Sequence, residues 1–322
     1  MARSDLLLSL VRAGAKGDQA LFKKTVEALV AEERSKQHHV LADRLIECFQ
    51  ENGKPTASRP LNLDSQINQL CVEISPRITL QDLILPQTVI QACAELVEEH
   101  HRADLLRSYN IEPRHRVLLA GPPGNGKTSL AEAIANALML PLIVIRYEGV
   151  IGSFLGETAS RLRRVFDFAR NRQCVLFFDE FDTLGKERGD PHDTGEIKRV
   201  VSSLLLQIDD LPSHVVVVTA TNHSELLDRA VWRRFQLRLS LPAPTRAQVQ
   251  QWIESFEKRK SISFGISPQT LSDKLRNVSF AELEEFGLDV MRRWVLTSPD
   301  ADLRSIVKER LAQWESRAMP QE

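Results

Sequence analysis

Apolar runs alternate with amphipathic stretches through the middle of the chain. Val117-Leu118-Leu119-Ala120, residues 141–146, Cys174-Val175-Leu176-Phe177-Phe178, Val215-Val216-Val217-Val218 and residues 236–241 are short and apolar. Between them, residues 129–140 and 159–170 carry apolar positions at helical spacing. Strands apolar on both faces, interleaved with helices, predict an α/β fold built on a parallel sheet covered on both sides. From residue 245 onward the periodicity is helical, predicting four helices at 246–260, 267–276, 279–296 and 301–316. Pro268 suits the first turn of the second, and Leu303, Ile306, Val307, Leu311 and Trp314 share one face of the last.

The same pattern divides the chain. Residues 1–50 read as a helical module, with helices at 5–13, 18–36 and 38–50 and apolar positions Leu21, Val26, Leu29 and Val30. Gly53, Pro55, Ser58 and Pro60 mark residues 51–60 as a linker. Residues 61–243 form the α/β domain, residues 244–317 a small helical domain, and residues 318–322 a tail. There is no internal repeat in the chain.

The polar residues at the strand ends carry the chemistry. Gly121-Pro122-Pro123-Gly124-Asn125-Gly126-Lys127-Thr128, followed by Ser129, is a complete P-loop set where an apolar strand turns into a helix. Its glycines let the backbone wrap phosphate oxygens, and the N–H groups at the helix N-terminus face the anion. Lys127 is placed to reach the β- and γ-phosphates of ATP and Thr128 to hold Mg²⁺. Asp179 ends the apolar run 174–178, where ligands bind in such sheets, and completes the metal shell. Glu180 beside it can polarise a water for in-line attack, which separates a hydrolase from a nucleotide-binding switch. Asn222 follows the third strand and can orient that water or sense the γ-phosphate. The pair Arg233-Arg234, just before the last strand, can serve as an arginine finger.

This ordered series resembles the AAA+ ATPase family of P-loop NTPases over roughly residues 75–317. The resemblance implies a three-layer parallel sheet with a four-helix lid. It also implies Lys127 and Thr128 on nucleotide and metal, Asp179 on the metal, Glu180 activating water, and Asn222 as the first sensor. Arg233, Arg234 or both would complete a neighbour's site in a homo-hexameric ring. The family often carries a longer Arg-Pro-Gly-Arg segment where this chain has Trp232-Arg233-Arg234-Phe235, so which arginine acts stays open. Ser279-Phe280-Ala281-Glu282 stands at the second sensor without an arginine and resembles the branch in which small residues approach the nucleotide.

Gly152-Ser153-Phe154-Leu155-Gly156 is similar to the pore loop of AAA+ protein translocases. Phe154 and Leu155, flanked by glycines that let the loop move, offer apolar grip without demanding one side-chain sequence. The polar segment 186–196 is a second candidate pore loop or a solvated connection. The favoured function is therefore a ring ATPase that remodels, unfolds or translocates a protein or peptide through a central pore. The alternative is an ATP-dependent switch or scaffold that controls a peptidase, nuclease or DNA complex without threading. The N-terminal helices read equally as a substrate adaptor or an assembly cap.

Composition narrows this further. With 322 residues, 43% of them hydrophobic, the chain can bury one large α/β core and smaller helical parts. A net charge of -1 points away from nucleic acid and anionic membranes. No apolar stretch is long enough to span a bilayer, and Met1-Ala2-Arg3-Ser4-Asp5 does not open a secretory leader, so a cytoplasmic protein is expected. Cys48, Cys71, Cys93 and Cys174 lack metal or redox spacing, which fits reduced thiols. His38-His39 and His100-His101 diverge on their helices and read as surface or packing residues. The chain contains no His-Glu-x-x-His or Gly-x-Ser-x-Gly motif, so any proteolysis would come from another polypeptide. The chain resembles compact bacterial AAA+ ATPases found beside subtilisin-like peptidases, and a separately encoded peptidase partner is implied by that resemblance alone.

Overall fold

The computed structural model of the protein describes residues 19–36, 38, 42, 67–146, 155–181, 203–227, 229–297 and 302–315. The predicted helices 5–13 and most of 38–50, and the linker 51–60, lie outside these residues. Strands β1 (Cys71–Ile74), β2 (Arg116–Ala120), β3 (Leu142–Ile145), β4 (Cys174–Phe178), β5 (Val215–Thr221) and β6 (Leu237–Ser240) form one sheet. Their order is β1-β3-β4-β5-β2-β6. β2 to β6 are mutually parallel, whereas β1 runs antiparallel to β3, pairing Cys71 with Ile145. The sequence reading of a parallel sheet did not include this antiparallel edge strand. Four residues that include Glu73 carry no apolar run long enough to read.

Helices α1 (Gln19–Ser35), α2 (Ile67–Leu70), α3 (Gln87–His101), α4 (Ala103–Ser108), α5 (Lys127–Leu138), α6 (Leu155–Arg170), α7 (residues 203–209) and α8 (Arg229–Arg234) precede or interleave the strands. Every residue of β4 and β5 is buried, because both sheet faces are covered. Alternate side chains go to opposite faces. Leu118, Leu176, Phe178 and Val217 pack against Leu162, Val165 and Phe166 of α6 and Leu204 and Ile208 of α7. Val117, Leu119, Val175, Phe177 and Val218 pack against Leu130 and Ile134 of α5 and Cys93 and Leu96 of α3. Burial pushes the thiols of Cys93 and Cys174 up to about 12, which keeps both protonated at neutral pH.

Helices α9 (Arg246–Lys260), α10 (Pro268–Lys274), α11 (Phe280–Thr297) and α12 (Leu303–Glu315) form the lid around their own core. Their starts are set locally. Thr245 and Gln248 make a reciprocal capping box, and Ser267 accepts from Thr270 N ahead of Pro268. The core is an aromatic chain: Trp252 stacks on Phe256 at 4.9 Å, Phe256 on Phe264 at 5.7 Å, and Phe286 meets Trp314 edge-on at 5.6 Å. Phe256 lies against Gly287, where a Cβ would come within 2.6 Å of the ring, so only glycine admits it. The segment around the turn Leu80–Asp82 joins the two cores: Leu80, Leu83 and Leu85 pack on the sheet side and Ile84 on the lid.

Phe256→Ala is expected to destabilise the lid by about 3–5 kcal/mol, because the cavity it leaves is walled by rigid aromatic rings and the α11 backbone. Urea unfolding followed by tryptophan fluorescence measures this. A loss under about 1 kcal/mol would show that the aromatic chain repacks and does not organise the lid.

Candidate active site

The P-loop leaves β2 at Ala120. Leu241 N donates to Ala120 O at 2.8 Å and Gly121 N to Thr221 O at 3.2 Å, so the loop starts pinned between the ends of β5 and β6. A Cβ on Gly121 would stand 2.1 Å from Leu241 O, which makes glycine obligatory there. Gly124 and Gly126 hold φ +74° and +81°, the left-handed region that glycine enters without strain. Gly126 caps α5, and a Cβ there would meet nothing within 4 Å: the helix N-terminus opens onto free space.

Lys127 is buried inside this loop and donates to Gly121 O at 2.7 Å and Pro122 O at 2.8 Å. Pro122 and Pro123 are exposed, whereas Asn125 is only 3% exposed and, among the described residues, neither polar atom of its amide has a partner. Ser129 is half-buried in the first turn of α5.

Thr128 Oγ1 donates to Asp179 Oδ2 at 2.9 Å, joining the end of the P-loop to the end of β4. The other oxygen, Asp179 Oδ1, accepts from Glu180 N at 2.9 Å. Glu180 is exposed and holds φ +45°, a conformation that strains a non-glycine residue and that clusters at functional sites. β5 lies between β4 and β2, so Asn222, half-buried directly after β5, falls between the acidic pair and the P-loop. Five of the predicted groups therefore meet at the carboxyl edge of three adjacent strands: Lys127, Thr128, Asp179, Glu180 and Asn222.

This donor set fits a nucleoside triphosphate with a divalent cation. The Lys127 side chain and an open helix N-terminus would face the anion, and a hydroxyl and a carboxylate already in contact would offer oxygen ligands.

The lid closes on the same loop. Ala281 N donates to Gly124 O at 2.9 Å, and a Cβ on Gly124 would meet Ser279 Oγ at 2.7 Å. Ser279 is fixed in turn by Glu282, whose Oε2 accepts from both Ser279 N and Ser279 Oγ. The small residues at the head of α11, which the resemblance places near the nucleotide, thus stand against the P-loop.

The two arginines differ. Arg234 Nε donates to Asp209 Oδ2 at 2.8 Å, and the other oxygen of Asp209 accepts from Arg116. Arg233 is exposed and, among the described residues, makes no hydrogen bond or ion pair. The Asp209 contact was not readable from sequence, since its partners lie 25 and 93 positions away. Phe154 lies outside the described residues, as does segment 186–196. Leu155 is the first residue of α6.

A sequence profile described as "ATPase family associated with various cellular activities (AAA)" matches residues 117–243, the span from β2 to just past β6. An uncharacterized AAA family ATPase, y4kL, of Sinorhizobium fredii is 34% identical over 302 residues, 92% of this chain and 90% of that protein. The cell division cycle protein 48 homolog of Archaeoglobus fulgidus is 31% identical over 226 residues, 68% of this chain but 31% of its own length. Proteasome-activating nucleotidase 1 of Haloferax volcanii is 30% identical over 229 residues, 69% of this chain and 56% of its own. Beside the last two the chain spans only part of the relative's length. No helix among the described residues is long and apolar enough to cross a membrane.

Proposed function

The chain belongs to the AAA family of ATPases, and from that premise we propose that it hydrolyses ATP with Mg²⁺ as a cytoplasmic homo-hexameric ring. The ring remodels, unfolds or translocates a protein or peptide through its pore. One observation carries the hydrolytic part: Thr128 and Asp179 in direct contact at 2.9 Å, with Glu180 next in the chain and Asn222 one strand away. Asp179 and Thr128 would hold the cation, which would supply charge to offset that of the phosphates. Lys127 exchanges its two carbonyl partners for those oxygens, a charge-assisted contact stronger than the one it gives up. Glu180, exposed at the strand end, takes the proton of the attacking water, and Asn222 orients that water. Arg233 or Arg234 stabilises the developing charge from the neighbouring subunit.

The lid makes the cycle mechanical. Gly124 O and Ala281 N link the P-loop to α11, so a shift of the loop around the phosphates is passed to the whole aromatic core of the lid. The name of one relative, a proteasome-activating nucleotidase, favours work on proteins. The Phe154 loop supplies a grip for an extended chain. A separately encoded peptidase is a fitting partner for such a ring.

Steady-state ATP hydrolysis of the wild type and Phe154→Ala, with and without an unfolded model polypeptide, tests this. Polypeptide is expected to stimulate the wild type about two- to fivefold, and the substitution to remove that stimulation while basal hydrolysis persists. Indifference to both would sink the threading reading and leave a nucleotide-driven switch that controls a partner.

A further inference from the structure

We propose that Asp209 is the positioning residue for the arginine offered to the neighbouring subunit, and that this arginine is Arg233. The inference rests on the reading of the arginine pair as acting in trans. Asp209 ends α7, and its two oxygens are both engaged: Oδ2 with Arg234 Nε at 2.8 Å and Oδ1 with Arg116 Nη1. Arg116 opens β2, the strand that runs directly into the P-loop. One carboxylate therefore ties the arginine-bearing helix α8 to the strand that carries the nucleotide loop.

Adjacent residues of a helix point about 100° apart. Fixing Arg234 against Asp209 therefore fixes the direction in which Arg233 leaves α8, and that direction is outward, since Arg233 is exposed and has no hydrogen-bond or ion-pair partner among the described residues. The next residues complete the clamp. Phe235 is fully buried and meets Phe181 edge-on, centroids 6.1 Å apart, and Phe181 directly follows Glu180. Gln236 N donates to Arg116 O at 3.1 Å, while its side-chain oxygen accepts from His115 N and Arg116 N. Val231 is buried before the arginine pair and Phe235 after it, which leaves Arg233 as the side chain projecting from a rigid base. A guanidinium whose base is immobile loses less freedom when it meets a phosphate across an interface.

The test uses the full chain and four variants: Asp209→Asn, Asp209→Glu, Arg233→Ala and the double variant Asp209→Asn/Arg233→Ala. Each is measured for kcat and KM with ATP and for melting temperature. Asp209→Asn is expected to lower kcat about a hundredfold, the scale of a catalytic group displaced by ~1 Å, with KM for ATP within about twofold of wild type and the melting temperature preserved. Asp209→Glu should regain part of kcat, because a carboxylate is restored. The double variant should be no slower than Arg233→Ala, since Asp209 acts through that arginine.

Normal kcat in Asp209→Asn overturns the proposal. So does a loss that multiplies with that of Arg233→Ala, or one that appears only as a lowered melting temperature. If Arg233→Ala itself turns over normally, the reading of Arg233 as a shared-site arginine falls with it. If Arg233→Ala is slow and Asp209→Asn is not, only the role of Asp209 falls.

Discussion

Glu180→Gln is expected to lower ATP turnover about a thousandfold while leaving nucleotide binding close to wild type. The substitution is nearly isosteric, so the contacts around it should survive. Asp179 still accepts from the backbone N–H at position 180 and from Thr128, and Lys127 and the open end of α5 are untouched. What changes is proton affinity: an amide oxygen can accept a hydrogen bond from water but cannot take its proton at neutral pH. The left-handed φ of +45° at position 180 strengthens the expectation. A non-glycine residue in that region costs energy, and holding a carboxylate there is worthwhile only if the site uses the direction it gives. Phosphate release and titration with a fluorescent nucleotide, run on the same preparation, separate the two effects. Turnover within about threefold of wild type would remove Glu180 as the base.

The parts of this site readable from sequence are those written in consecutive residues. The P-loop glycines, Lys127 and Thr128 form one local backbone motif, and Asp179-Glu180 close an apolar run whose burial on both faces β4 confirms. Asn222 was readable because β5 ends in polar residues, although the strand extends through Thr221, beyond the apolar run itself. The small side chains at the head of α11 read as approaching the nucleotide, and they stand against Gly124 of the P-loop. Three features were not legible, each for a physical reason. β1 is a four-residue edge strand with one half-polar face, which leaves no periodic signal. The positive φ of Glu180 is not one that glutamate favours, so the residue type does not announce it. The Arg116–Asp209–Arg234 cluster joins three segments remote in sequence, and nothing in a single chain of letters distinguishes Asp209 from its neighbour Asp210.

Arg233→Ala is expected to lower turnover by about a thousandfold in rings made of that variant alone, the scale associated with removing an arginine that neutralises charge in phosphoryl transfer. The same loss would follow from an arginine acting on its own subunit's nucleotide, so the informative measurement is a mixture with Glu180→Gln. In a ring with shared sites, an Arg233→Ala subunit still supplies Lys127, Thr128, Asp179 and Glu180, and a Glu180→Gln neighbour still supplies Arg233. A site is complete wherever the first kind faces the second. Random assembly at equal amounts gives about a quarter of such sites, because each of the two positions is correct half the time. Two preparations that are each nearly inactive should therefore recover activity on mixing, up to that fraction of wild type. If Arg233 acted in cis, every subunit in the mixture would lack either its arginine or its glutamate, and no arrangement of the ring would restore turnover.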